Sequence, residues 1–167
     1  MKRENIKLAA AVVSAVFVFC SCAVHKSELL IEEERRAGLE MQSIQDMISS
    51  RAIPPVEFEL GSATLLRSSF DLLDRVAQIL LRHPKLKFIV EGHTDDTGGD
   101  EWNERLSLER AGSVKQYLAA KGIYPDFIKV YGFGHTRRIT EDTSERGRAL
   151  NRRVEFFLTT RDWETIF

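Results

Sequence analysis

Hydrophobic positions along this chain change period several times, and each change predicts an element. Leu8 through Val18 to Ala23 is one short uncharged run. Residues 26–50 are then dense in charge, with Glu32-Glu33-Glu34-Arg35-Arg36 ahead of sparser apolar positions at Leu39, Ile44 and Ile48, which predicts a solvated helical spacer or a partly ordered arm rather than a second core. Pro54-Pro55 stops any helix, so a folded domain is expected to begin at residue 56. There Val56, Phe58 and Leu60 alternate with Glu57 and Glu59 as a first strand ended by Gly61-Ser62. Phe70, Leu73, Ala77, Leu80 and Leu81 recur at helical spacing behind a cap at Ser68 or Ser69, and His83-Pro84 closes that helix.

Leu86 to Val90 reads as a second strand, running into Gly92-His93-Thr94-Asp95-Asp96-Thr97-Gly98-Gly99. Asp100 can cap a helix to about Ala120, stopped by Gly122. A third strand is expected over 128–134, a short helix over 144–150, and a last strand over 152–160 in which Val154, Phe156 and Leu158 alternate with Arg153, Glu155 and Phe157. Strand and helix alternating in this way predict an α/β two-layer sandwich, a mixed sheet with its helices on one side. The 167 residues, 43% of them hydrophobic, suffice for one such core and hardly for two.

The amino terminus changes the picture of where this core works. Lys2 and Arg3 precede a short apolar body that ends in Phe19-Cys20-Ser21-Cys22, the layout of an export signal. Both cysteines of the chain lie there, outside the folded region, where a disulfide would staple nothing. Cys22 is therefore expected to carry lipid after removal of 1–21, with 22–55 as lipidated spacer, 56–160 as the domain and 161–167 as a tail. Phe19-Cys20-Ser21-Cys22 resembles a bacterial lipoprotein processing box, and Ala23 after the cysteine resembles the pattern of outer-membrane delivery.

One residue breaks the amphipathic pattern. With Leu106 at zero and 100° per residue, Tyr117 falls at about 20°, Val114 at about 80° and Leu118 at about 120°, and Arg110 falls among them at about 40°. A guanidinium in an apolar arc needs an anion, because its desolvation costs several kcal/mol otherwise. Either Asp95 or Asp96 answers it as a structural ion pair, or it faces the preceding loop and takes a ligand carboxylate, for which its planar donor fork is suited. The loop offers the complementary half: carboxylates at Asp95 and Asp96, hydroxyls at Thr94 and Thr97, and unpaired N–H groups at the helix start. An ammonium and a carboxylate on one carbon, the end group of an amino acid, fits such a pair.

These residues carry a family resemblance. Gly92-His93-Thr94-Asp95, Asp96-Thr97-Gly98, Asn103, Leu106-Ser107-Leu108-Glu109-Arg110-Ala111, Tyr131-Gly132-Phe133-Gly134 and Gly147 through Glu155 resemble the peptidoglycan-binding domain at the carboxyl end of outer-membrane protein A and in peptidoglycan-associated lipoproteins. The resemblance covers about residues 56–160 and implies a βαβαβαβ fold that holds the cell wall non-covalently, with neither catalysis nor cofactor. It implies that Asp95 meets the amino group of the diaminopimelate, or equivalent diamino acid, of the wall's stem peptide, and that Arg110 meets its carboxylate. Thr97 and Asn103 are implied as hydrogen-bonding pocket residues, backbone N–H groups near Asp96 and Leu106 as helpers, and Arg153 as a rim contact. Arg137-Arg138-Ile139 stands where the family often has a proline. With no room for a barrel before residue 56, the lipoprotein branch fits better: an outer-membrane anchor, a periplasmic domain, and periplasmic envelope proteins as further partners. A protein-interaction module of an envelope or secretion assembly is the alternative function.

Other chemistries find less support. A net charge of −1 gives no general attraction to nucleic acid, and Arg146, Arg148, Arg152 and Arg153 divide among faces without interleaved aromatics. His93, Asp95, Asp96 and His135 lack the spacing of a compact ligand set, so no metal is expected. Adjacent acids on an extended segment point apart, which disfavours an acid–base pair.

Overall fold

The computed structural model of the chain describes residues 28–50, 52–160 and 163. The export segment, Cys22 and most of the 161–167 tail lie outside the described residues. Helix α1 spans 28–49. It is not solvated on every side, as a spacer would be. Ala37 and Ile44 are 0% and 4% exposed and join the hydrophobic core, with Met41, Met47 and Ile48 packed against it. Positions 37, 41, 44 and 48 lie on one helical face, so a narrow apolar stripe runs through a sequence dominated by charge. Glu40 accepts a hydrogen bond from Arg82 and Glu34 one from Thr160 Oγ1 at 2.8 Å, which tie the helix to the domain at its rim.

The segment expected as a first strand does not enter the sheet. Phe58 and Leu65 form a single antiparallel bridge, Glu59 N donates to Thr64 O at 2.9 Å, and the chain reverses between them. The turn follows so soon after Phe58 that no ladder can develop. Ser69 precedes helix α2 (Phe70–Arg82), but its hydroxyl accepts from Glu57 N at 2.7 Å and donates to Glu57 O at 3.0 Å instead of capping the helix. The serine thus pins the hairpin to α2.

Strand β1 (Lys87–Gly92), helix α3 (Asp100–Ala120), strand β2 (Ile128–Gly132), helix α4 (Glu145–Asn151) and strand β3 (Val154–Thr159) follow. The sheet has order β2-β1-β3, with β1 parallel to β2 and antiparallel to β3. α3 is the crossover between the parallel strands, as that connection requires. Phe88, Val90, Val154, Phe156 and Leu158 of the sheet meet Ala111, Val114 and Leu118 of α3, and Leu72, Leu73 and Val76 bring α2 into the same core. Tyr117 Oη donates to Asp74 Oδ1 at 2.8 Å, joining α2 to α3 at the margin.

Two glycines set the distance between α3 and the strand ends. A Cβ on Gly92 would lie 2.0 Å from Ser107 O, and one on Gly132 would lie 2.5 Å from Leu108 N. Backbone meets backbone there, with no flexible side chain that could give way. The sheet consequently delivers the loop after β1 directly beside the amino-terminal half of α3.

Gly92→Ala is expected to lower stability in urea by about 3 kcal/mol, since the clash is with rigid backbone. Gly112→Ala, on α3 with nothing within 4 Å of an added Cβ, is expected to raise it by about 1 kcal/mol through helix propensity. Ile44→Ala is expected to cost about 2 kcal/mol or more by opening a cavity under α1; a change near zero in the same urea titration would show α1 to be dispensable.

Candidate functional site

Beyond Gly92 the pairing of β1 continues as isolated backbone bonds. His93 N donates to Arg153 O at 3.0 Å and Thr94 N to Gly134 O at 2.9 Å, which holds the loop at the height of the α3 amino terminus. Asp95 then closes a tight turn. Its Oδ1 accepts from Thr97 N at 2.9 Å and from the Thr97 hydroxyl, the local side-chain-to-backbone bond that aspartate favours in turns. Asn103 Nδ2 donates to Thr97 O at 2.9 Å and fastens the far side of the turn to α3.

On α3 the buried residues are Asn103, Leu106, Ser107, Arg110, Ala111, Val114 and Leu118, one continuous face. Arg110 is only 8% exposed. Its Nε donates to Ser62 O at 3.0 Å, and its guanidinium carbon lies 5.1 Å from the centre of the Phe58 ring. The hairpin that fails to become a strand therefore forms the seat of this arginine. Among the described residues Arg110 makes no ion pair, so the structural bridge to Asp95 or Asp96 is absent.

The partner of Asp95 is Arg152, whose Nη1 donates to Asp95 Oδ2 at 2.8 Å and whose Nη2 reaches Glu145. Burial pushes the Asp95 carboxyl up, but hydrogen bonds from the Thr97 hydroxyl, Arg152 and Thr97 N outweigh it and leave it below the usual aspartate range. Arg110 is shifted downward by burial first and by the repulsion of Arg152 second, against the attraction of Asp95. Asp96 bonds to Arg148 Nε at 2.8 Å, which lowers its carboxyl in turn.

Asp95, Thr97, Asn103, Leu106 and Arg110 line one cleft of about 520 Å³, joined by Trp102, Leu60 and Arg152. Of the residues expected at a site, Asp96 does not line the cleft but pairs with Arg148, which does. Arg153 is not brought to the cleft. Its Nε bonds Glu155 Oε1 at 2.6 Å and its Nη2 donates to Arg137 O, away from Asp95. A period-2 count back from the core-facing Val154 puts Arg152 on the cleft side of β3 and Arg153 on the other, so the sequence did hold the signal for the right arginine. Nothing in the sequence marked Ser62 and Phe58 as the seat of Arg110.

The groups weighed for a metal do not assemble. Asp95 and Asp96 are each engaged by an arginine, and His135 Nε2 lies 3.8 Å from Asp100. The His93 ring instead stacks on Phe133, with centroids 5.7 Å apart, and burial together with nearby Arg153 depresses its pKa to about 4, so the imidazole is neutral at neutral pH.

The chain is similar to known proteins. The peptidoglycan-binding protein ArfA of Mycobacterium tuberculosis is 36% identical over 112 residues, 67% of this chain and 34% of ArfA. The probable lipoprotein YiaD of Escherichia coli is 35% identical over 130 residues, 78% of this chain and 59% of YiaD. The chain thus spans from about a third to somewhat over half of the length of these relatives. The crystal structure of the peptidoglycan-associated lipoprotein from Burkholderia pseudomallei superimposes with a TM-score of 0.59 at 27% identity, covering 62% of this chain and 88% of that one. The sequence model of the OmpA family matches residues 57–152, more than half of the chain, and the protein belongs to that family.

Proposed function

We propose that this domain binds peptidoglycan non-covalently and without catalysis, taking the diamino-acid end of the stem peptide into the cleft between the 93–98 loop, α3 and the 58–65 hairpin. The observation that carries the proposal is Arg110: a buried guanidinium without an acidic partner among the described residues, opening into a cleft that also holds Asp95. Its Nε is occupied by Ser62 O, which fixes the plane of the fork and leaves both Nη groups for a ligand carboxylate. Family membership, and relatives whose names carry peptidoglycan binding or association, support the same reading.

Asp95 receives the ligand ammonium in this scheme. It does so beside Arg152, because each carboxylate oxygen can accept more than one hydrogen bond and Thr97 already orients Oδ1. Glu145 keeps Arg152 in place when the ammonium arrives. Thr97 and Asn103 act chiefly by holding the turn, and Leu106 supplies an apolar wall. Asp96 serves by fixing Arg148, and Arg153 stands outside the contact.

Lipid on Cys22 would tie the chain to the outer membrane with the domain in the periplasm, a placement that agrees with the lipoproteins among its relatives. Attachment at both ends makes binding effectively intramolecular once one end is held, so modest affinity in the cleft suffices for a firm link between membrane and wall. Recruitment of other envelope proteins would add to this link.

Arg110→Met and Asp95→Asn are each expected to weaken binding of a soluble diaminopimelate-containing stem peptide by roughly 10- to 100-fold, the scale of one charged hydrogen-bond pair. The urea midpoint of Arg110→Met should stay near wild type, while that of Asp95→Asn should fall, because the ionised carboxylate is held by Thr97 and Arg152. If both variants bind the peptide as wild type does, the charges are structural and the proposal fails. A stem peptide with the diaminopimelate side-chain carboxylate amidated is expected to bind wild type more weakly than the free acid, and to bind Arg110→Met no differently from it; a difference that persists in the variant would place that carboxylate elsewhere.

A further inference from the structure

We propose that Glu91, His93 and Glu155 form a binding site for a divalent cation of the zinc class, on the opposite side of the sheet from α3 and separate from the cleft. Three features place it there. Glu91 and Glu155 are directly paired in the antiparallel register of β1 and β3, so two carboxylates stand side by side on one face. His93 follows Glu91 by two residues and projects to that same face. One oxygen of each glutamate and one ring nitrogen of His93 all lie within 4.8 Å of one another.

A pair of like charges facing each other across two strands is unfavourable unless something answers it. Arg137 Nη1 lies 3.3 Å from Glu91 Oε2 and Arg153 Nε lies 2.6 Å from Glu155 Oε1, so each arginine engages one oxygen of its glutamate. The answer is incomplete at the centre. His93 is 1% exposed, and neither of its ring nitrogens has a hydrogen-bond partner among the described residues. Buried polar groups are almost always satisfied, so an orphaned imidazole beside two carboxylates is a cost without a return in the bare protein. A cation accepts the imidazole lone pair and relieves the carboxylate repulsion together.

The donor set defines the class. One neutral imidazole nitrogen and two carboxylate oxygens suit zinc and its first-row neighbours rather than calcium or magnesium, which prefer all-oxygen shells. Bonds of ~2.0–2.2 Å would draw the three donors to ~3.3 Å from one another, which glutamate side-chain rotation can supply, and water would complete the shell. Arg137 is the competitor. It is half exposed and stacked on the Phe133 ring at 3.6 Å, so it can release Glu91 without losing its seat. A cation here would bridge β1 to β3 one residue before the Thr94-Asp95 loop begins, and would brace that loop from behind. The proposal does not rest on the wall-binding reading.

The test is a titration of the full chain, freed of metal by chelation, with zinc chloride, following the ring nitrogens of His93 by nitrogen-15 NMR. A saturable shift of the His93 ring at one zinc per chain is expected. Glu91→Gln and Glu155→Gln should each weaken it at least tenfold, and Arg137→Ala should strengthen it several-fold by removing the competing charge. The glutamine variants remove a repulsion and are expected to fold. His93 resonances that stay in place at millimolar zinc, including when zinc is taken up by cysteines or histidines elsewhere, would overturn the proposal, as would glutamine variants that bind as tightly as wild type.

Discussion

Everything at the candidate site depends on how closely α3 lies against the ends of β1 and β2. Gly92 and Gly132 let the backbone of Ser107 and Leu108 approach to distances that no side chain permits. Ser107 completes the contact, accepting from Gly134 N at 2.9 Å and donating to Glu104 O at 2.8 Å. Arg110 stands one turn farther along the helix, so this approach sets how deep its guanidinium lies. The 93–98 loop springs from the same strand end. Packing and chemistry are therefore one constraint: a wider gap would separate Asp95 from Arg110 and flood the arginine with water.

Depth is what gives the charges their value. An exposed ion pair contributes little in water, whereas a buried guanidinium without a counter-charge pays a desolvation cost that a ligand carboxylate can relieve. Arg110 is kept in that state by three arrangements. Ser62 O takes its Nε, Phe58 stacks on its face, and Arg152 satisfies the nearest carboxylate in its stead. Arg152 also repels Arg110, which raises the attraction of the cleft for an anion. The pocket is thus better described as two arginines around one aspartate than as one opposed pair of charges.

The loop between the cleft and the far face of the sheet joins two different chemistries in three residues, His93 to Asp95. Asp95 turns toward α3 and Arg152, while His93 turns away toward Glu91, Glu155 and Phe133. Alternation alone would leave them on one face, and the turn closed by Thr97 N on Asp95 Oδ1 is what separates them. Alternation does send the adjacent Arg152 and Arg153 to opposite faces, one to each group of acids. The two residues just before β3 thereby supply a counter-charge to both sides of the sheet.

The sequence by itself determined the mixed α/β class, the places of α2, α3 and α4 to within a residue or two, the family, and the burial of Arg110. These rest on local periods and ordered motifs, which are written along the chain. It also named five of the cleft-lining residues, because Asp95, Thr97, Asn103, Leu106 and Arg110 belong to one loop and one helix face. Tertiary structure alone decided that the 58–65 hairpin seats Arg110 instead of joining the sheet, that α1 docks Ala37 and Ile44 in the core, and that Arg152 holds Asp95. It alone placed Glu91 beside Glu155. Each of these depends on contacts between segments dozens of residues apart, where strand register and helix docking choose the partners and no local period records the choice.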